Sequence, residues 1–167
     1  YGELCGSDEV QARFEPITPG QWREDNKPPN PSNVLSWADV LEMADTRRHT
    51  RDQAIMVGLW GSACRPKSEF HELKYKHVEW CGDHYRISVP WDGKTGERTI
   101  RLYPGAATLR KWIEQEHPVH DDPDATLGPE TYLWTKLDKN EHISYDTIST
   151  VTREAGEASR PETRQGR

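Results

Sequence analysis

The sequence predicts a mainly α-helical domain with a small antiparallel β-sheet at its edge, an α+β fold. Three patterns predict it. From Ser36 to Leu73 apolar residues recur at helical spacing behind capping residues; from Val78 to Leu102 they alternate with polar residues; and from Pro104 to Ala155 helical spacing returns in two further stretches.

Each element has its own chemical reason. Ser36 with Asp39 three residues on forms a capping-box pattern, and Leu35 and Val40 stand where a hydrophobic staple would clamp the start of a helix from Trp37 to Arg47 or Arg48. Thr50 with Gln53 repeats that box. It opens a helix whose Ala54, Ile55, Val57, Gly58 and Leu59 make it apolar on most of its surface, so it should be central and buried. Pro66 suits the first turn of a short third helix through Leu73, where its missing N–H costs nothing. Val78, Trp80, Tyr85, Ile87, Val89, Ile100 and Leu102 then alternate with polar residues, and Cys81-Gly82-Asp83 and Asp92-Gly93 punctuate them, giving three short antiparallel strands. Pro104 opens a helix through about Glu116 with Leu109, Trp112 and Ile113 inward. His117 to Glu130 reads as loop, Tyr132 to Trp134 as a brief extended piece, and Ser144 caps a helix through Ala155 that buries Ile148 and Val151.

At 167 residues the chain has room for one domain of ordinary size, which is roughly 100 to 150 residues, plus tails. Residues 1–33, with Pro16, Pro19, Pro28, Pro29 and Pro31, read as a proline-rich linker or the remnant of an upstream domain. Residues 34–156 read as the domain, and 157–167, without periodicity, as a disordered tail. Mean hydropathy is low at -0.97, yet seven Trp and six Tyr supply large apolar bodies for a core. No run of 18 apolar residues and no signal-peptide start is present, and three cysteines at unrelated spacings argue for a reducing compartment; the expectation is a cytoplasmic protein with no membrane partner.

A net charge of -6 weighs against a nucleic-acid partner until its distribution is considered. Residues 64–111 hold ten Lys or Arg against six Asp or Glu, whereas residues 112–142 hold two against eight. The basic segment contains two motifs. Ala63-Cys64-Arg65-Pro66-Lys67-Ser68-Glu69 places an arginine at the junction of two helices with an acid one turn later, suited to holding a guanidinium fork toward a phosphate. Gly93-Lys94-Thr95-Gly96-Glu97-Arg98 places a lysine in the loop between two strands, where a flexible amine can swing over a bound phosphate and donate a proton. A phosphate-binding P-loop at Gly93-Lys94-Thr95 would need a glycine at position 88, where Ser88 stands, and a following helix where a strand is expected. A zinc site from His71, His77, Cys81 and His84 fits no standard ligand spacing, and Tyr75 stands where a metalloprotease helix would need its second histidine.

Taken together and in this order, the two motifs resemble the catalytic domain of tyrosine recombinases, the phage-integrase family. The resemblance covers about residues 34–156 and implies site-specific DNA recombination or integration on double-stranded DNA, with other recombinase protomers as further partners and with no metal, nucleotide or other cofactor. It gives Arg65 the role of binding the scissile phosphate, Glu69 that of orienting Arg65 through an ion pair, Lys94 that of general acid to the leaving oxygen, and Arg98 and Lys67 contacts to DNA. The family's His-x-x-Arg segment and nucleophilic tyrosine have no counterpart; Tyr145 stands too early and is expected to pack or cap. The chain therefore reads as a C-terminally truncated domain that does not cleave DNA alone, the alternatives being a non-catalytic DNA-binding module or an inert remnant. Type IB topoisomerase chemistry uses the same residue kinds but fits the short hairpin less well.

Overall fold

The computed structural model describes residues 34–89, 96–123 and 125–159. They fall in the second of two units into which the chain divides, Leu35–Arg167, apart from Val34. Helix α1 (Trp37–Asp45) starts as its sequence dictates: the Ser36 hydroxyl accepts from the Asp39 N–H at 3.2 Å, and the Asp39 carboxylate accepts from the Ser36 N–H at 2.7 Å. It stops earlier than expected, at Thr46, whose N–H and hydroxyl both turn back to the Met43 carbonyl. The helix buries Val40, Met43 and Ala44, while Leu35 is largely exposed.

Helix α2 (Thr50–Ser62) is the buried centre, with Ala54, Ile55, Met56, Val57 and Gly58 all enclosed. The expected Thr50–Gln53 box does not form. His49 is the N-cap, the Thr50 hydroxyl accepts from Lys111 at 3.2 Å, and the Gln53 amide donates to the Arg47 carbonyl at 2.9 Å. Starting one residue earlier turns Arg51 inward, where its guanidinium donates to the Thr135 carbonyl and meets the Asp52 carboxylate. A buried arginine needs such partners.

The third helix is a widened π-turn (Pro66–Phe70) in place of an α-helix through Leu73: the N–H groups of Phe70 and His71 donate to the carbonyls of Arg65 and Pro66, five residues back. Three strands follow, β1 (Val78–Trp80), β2 (Tyr85–Val89) and β3 (Arg98–Leu102), paired antiparallel in the order β1-β2-β3. Ile87 lies opposite both Val78 and Ile100, and Tyr85 opposite both Trp80 and Leu102, so one face of the sheet is apolar and packs on α2.

Helix α3 (Ala106–Lys111) passes directly into a second π-turn (Trp112–Glu116), so the expected helix through Glu116 changes winding at Trp112. The reason is the partners on either side. Trp112 donates its indole N–H to the Leu133 carbonyl at 2.8 Å, and the Ile113 carbonyl bonds the His120 ring at 2.8 Å. The extended piece at Tyr132–Trp134 is tied by single bridges from Lys74 to Tyr132 and from Thr135 to His142. Helix α4 (Tyr145–Ala158) follows Ser144, one turn longer than expected, so Glu157 and Ala158 belong to it; it buries Ile148, Val151 and Ala155 against α1 and α2.

Gly105 joins β3 to α3 at φ +82°, and a Cβ there would lie 2.6 Å from the Val57 side chain. Gly105→Ala is expected to lower stability by about 1–2 kcal/mol for the left-handed backbone and about 1–3 kcal/mol for the overlap. A urea titration checks this; an unshifted midpoint would mean that α2 and α3 separate freely at this contact.

Candidate functional site

The candidate site begins where α2 ends. Ala63 caps that helix at φ 48°, ψ 28°, and is the one non-glycine residue of positive φ among the described residues. An alanine pays a conformational cost in this region, so the surrounding contacts must enforce it. The Cys64 N–H bonds back to the Ser62 hydroxyl at 3.3 Å, and Arg65 is extended before Pro66 starts the π-turn. A left-handed residue, an extended residue and a widened turn in succession thus deliver Arg65 and Glu69 to one place.

Glu69 is 1% exposed and is the chemical centre of the cluster. Both of its oxygens accept from the Arg98 guanidinium, at 2.9 and 2.6 Å, and Oε2 also accepts from the backbone N–H of Arg65 at 2.8 Å. The Arg98 hydrogen bonds, outweighing burial and helped by the Arg65 N–H and the two positive charges, hold the carboxyl at about 2, well below its ordinary value of 4.5. Glu69 is therefore ionised at neutral pH.

The positions of the expected site residues follow. Arg65, Glu69 and Arg98 come together. The link from Glu69 to Arg65 runs through the Arg65 main chain as well as through the charge of its guanidinium. Arg98, the expected DNA-backbone contact, directs its fork at Glu69, with its side chain 32% exposed. The signal for this was in the strand: Arg98, Ile100 and Leu102 share a face by the two-residue period, and a cation on the core-facing side of a sheet requires a buried acid. Lys67 is exposed, its ammonium 5.9 Å from the centroid of the Tyr145 ring. Lys94 lies outside the described residues.

Cys64 is buried beside this cluster. Burial, outweighing the Ser62 hydrogen bond, raises its thiol above the ordinary range, as for a thiol packed in a core. On the far side of Phe70, Trp134 donates its indole N–H to the Phe70 carbonyl at 2.7 Å and stacks on the Phe70 ring at 4.6 Å. That contact fixes the end of the π-turn. His77, Cys81 and His84 join no cluster of metal-ligating groups among the described residues; His71 does, with Glu72 and His142.

The central buried helix and the edge sheet of three strands define an α+β fold, with the arginine-carboxylate cluster at their junction. The solved structure of the XerH site-specific recombinase bound to its difH substrate, a pre-cleavage complex, is similar over 76% of this chain with a TM-score of 0.51 and 17% sequence identity. The chain spans 36% of the length of that protein. No protein-family model matches the chain, and no curated protein does. No helix among the described residues is long and apolar enough to cross a membrane.

Proposed function

We propose that residues 34–156 are part of a tyrosine-recombinase catalytic domain of integrase type and bind double-stranded DNA through the basic segment 64–111. The observation that carries this reading is the placement of Arg65: its main chain is fixed by a buried, ionised carboxylate at the end of a strained turn, within a fold shared with a recombinase. Phosphate recognition rewards that arrangement, because a fixed main chain sets where the Arg65 side chain starts and leaves less freedom to lose on binding.

In this reading Arg65 binds the scissile phosphate, and Lys94, on the segment between β2 and β3, protonates the leaving oxygen. Lys67 contacts a neighbouring phosphate. Glu69 and Arg98 are positioning residues, the pair locking β3 to the turn that carries Arg65. Other protomers of the same kind are the expected partners on DNA. Residues 1–167 carry no His-x-x-Arg segment, so as an isolated polypeptide they bind DNA without forming a phosphotyrosyl bond.

The test is a duplex-DNA binding titration at several salt concentrations, comparing the wild-type chain with an Arg65→Ala, Lys94→Ala double variant. Loss of two phosphate contacts is expected to reduce the slope of log affinity against log salt by about 2. Binding that is salt-insensitive, or equal in the two proteins, would remove the DNA reading. Covalent protein–DNA adducts formed by the isolated chain would overturn only its catalytic part.

A further inference from the structure

His71, Glu72 and His142 lie apart from the Arg65 cluster, and the sequence gives no spacing that joins them. The fold does: one potential ligand atom from each lies within 4.8 Å of the others. His71 and Glu72 follow the first π-turn, and His142 pairs with Thr135 just before α4. We propose that these three residues form a binding site for a divalent transition metal of the zinc class.

The tautomers carry the argument. The Nε2 of His71 lies 2.7 Å from the Ile143 carbonyl, and the Nε2 of His142 lies 3.0 Å from the His71 carbonyl. A carbonyl only accepts, so each Nε2 carries its hydrogen. In neutral imidazole that leaves a lone pair on the Nδ1 of His142, whereas the Nδ1 of His71 holds a proton toward the Glu72 carboxylate that an ion has to displace. A ring whose outer N–H donates to a main-chain carbonyl is the usual support of a metal-ligating histidine, because the bond fixes both ring orientation and tautomer.

The rings are also held in place. His71 and His142 stack with centroids 4.1 Å apart, and Tyr132 stacks on His142 at 3.8 Å and 7°. Glu72 supplies the anionic donor. Its carboxylate oxygen is 2.7 Å from the His71 Nδ1, and its side chain is 49% exposed, free to swing by the small amount that a shared ion requires. The ion takes the place of the proton between His71 Nδ1 and Glu72, and that proton leaves to solvent. Two imidazole nitrogens and one carboxylate oxygen form the three-ligand set of an open zinc site, with water as the fourth ligand, whereas calcium and magnesium prefer all-oxygen surroundings. His142 also lines an open cleft of about 370 Å³ with Tyr132 and Glu130, and the exposed Glu72 places the site at the protein surface.

Cobalt(II) titration of the full chain, followed by visible absorption and by competition with zinc, tests the site. One ion per chain is expected, with d–d bands of a low-coordinate nitrogen-oxygen site. Outer-shell partners alone are worth about 10–100-fold in affinity, so removing a ligand by His142→Gln or Glu72→Gln should weaken binding by at least about 100-fold. His84→Gln, outside the site, should leave it unchanged. His142 belongs to a ring stack and its variant is checked by circular dichroism; Glu72 is exposed, so its variant decides the matter if the other fails to fold. Absence of cobalt bands, equal binding by Glu72→Gln, or equal loss in His84→Gln would each overturn the site. None of these outcomes bears on DNA binding, which rests on different residues.

Discussion

Arg98→Met is expected to destabilise the protein by about 3–5 kcal/mol, the cost of leaving a buried charge without its partner. Glu69 cannot escape, since it is 1% exposed and enclosed by the turn that begins at Pro66. The reciprocal change, Glu69→Gln, should cost less, because the Arg98 side chain is 32% exposed and can turn toward water. The same pair sets an acid limit. A carboxyl whose folded value is depressed to about 2 contributes stability that is complete above its ordinary value of 4.5 and is lost as pH falls between the two. The wild-type chain should therefore weaken between pH 4.5 and 2, while Arg98→Met, whose buried carboxylate has lost the Arg98 bonds and is easier to protonate, should become more stable relative to wild type as pH falls through the same window. Urea titrations at pH 7 and in that acid window measure both effects. A loss below about 0.5 kcal/mol for Arg98→Met, the size of an ordinary surface substitution, would mean that Glu69 and Arg98 are not a buried unit.

Trp134→Ala should cost about 3–5 kcal/mol from the cavity alone, because the side chain is fully buried, and its effect should reach the Arg65 turn. Trp134→Phe separates the two contributions. It keeps a stacked ring on Phe70 but removes the donor to the Phe70 carbonyl, leaving that acceptor unpaired at about 1–3 kcal/mol. If the indole N–H anchors the π-turn, Trp134→Phe should also increase hydrogen exchange at the Phe70 and His71 amides, whose bonds define that turn. Stability equal to wild type, with unchanged exchange, would assign Trp134 to bulk packing alone.

The fold class was legible in the sequence because local chemistry and burial agree along most of it. The Ser36–Asp39 box forms as written, α2 is buried as its apolar composition demands, and the alternation from Val78 to Leu102 produces three strands in the expected order. Errors gathered at element ends. The Thr50–Gln53 box gave way to His49 because Arg51 is held by Thr135 and Asp52, a contact 84 residues distant that no local pattern announces. Both expected α-turns that widened into π-turns did so where indoles and histidine rings take up main-chain carbonyls: Trp134 at Phe70, and His120 at Ile113.

The sequence by itself determined the architecture and the basic segment, since capping, period and charge are properties of neighbouring residues, while Arg65 and Glu69 were singled out by the resemblance of their motif to tyrosine recombinases. Only the tertiary structure decided that Arg98 belongs to Glu69, that Ala63 adopts the left-handed turn leading to Arg65, and that His71 meets His142. Those pairings span 29 and 71 residues, and the energy that fixes them is the cost of burying a charge or a ring nitrogen without a partner, which arises only once the chain has closed around it.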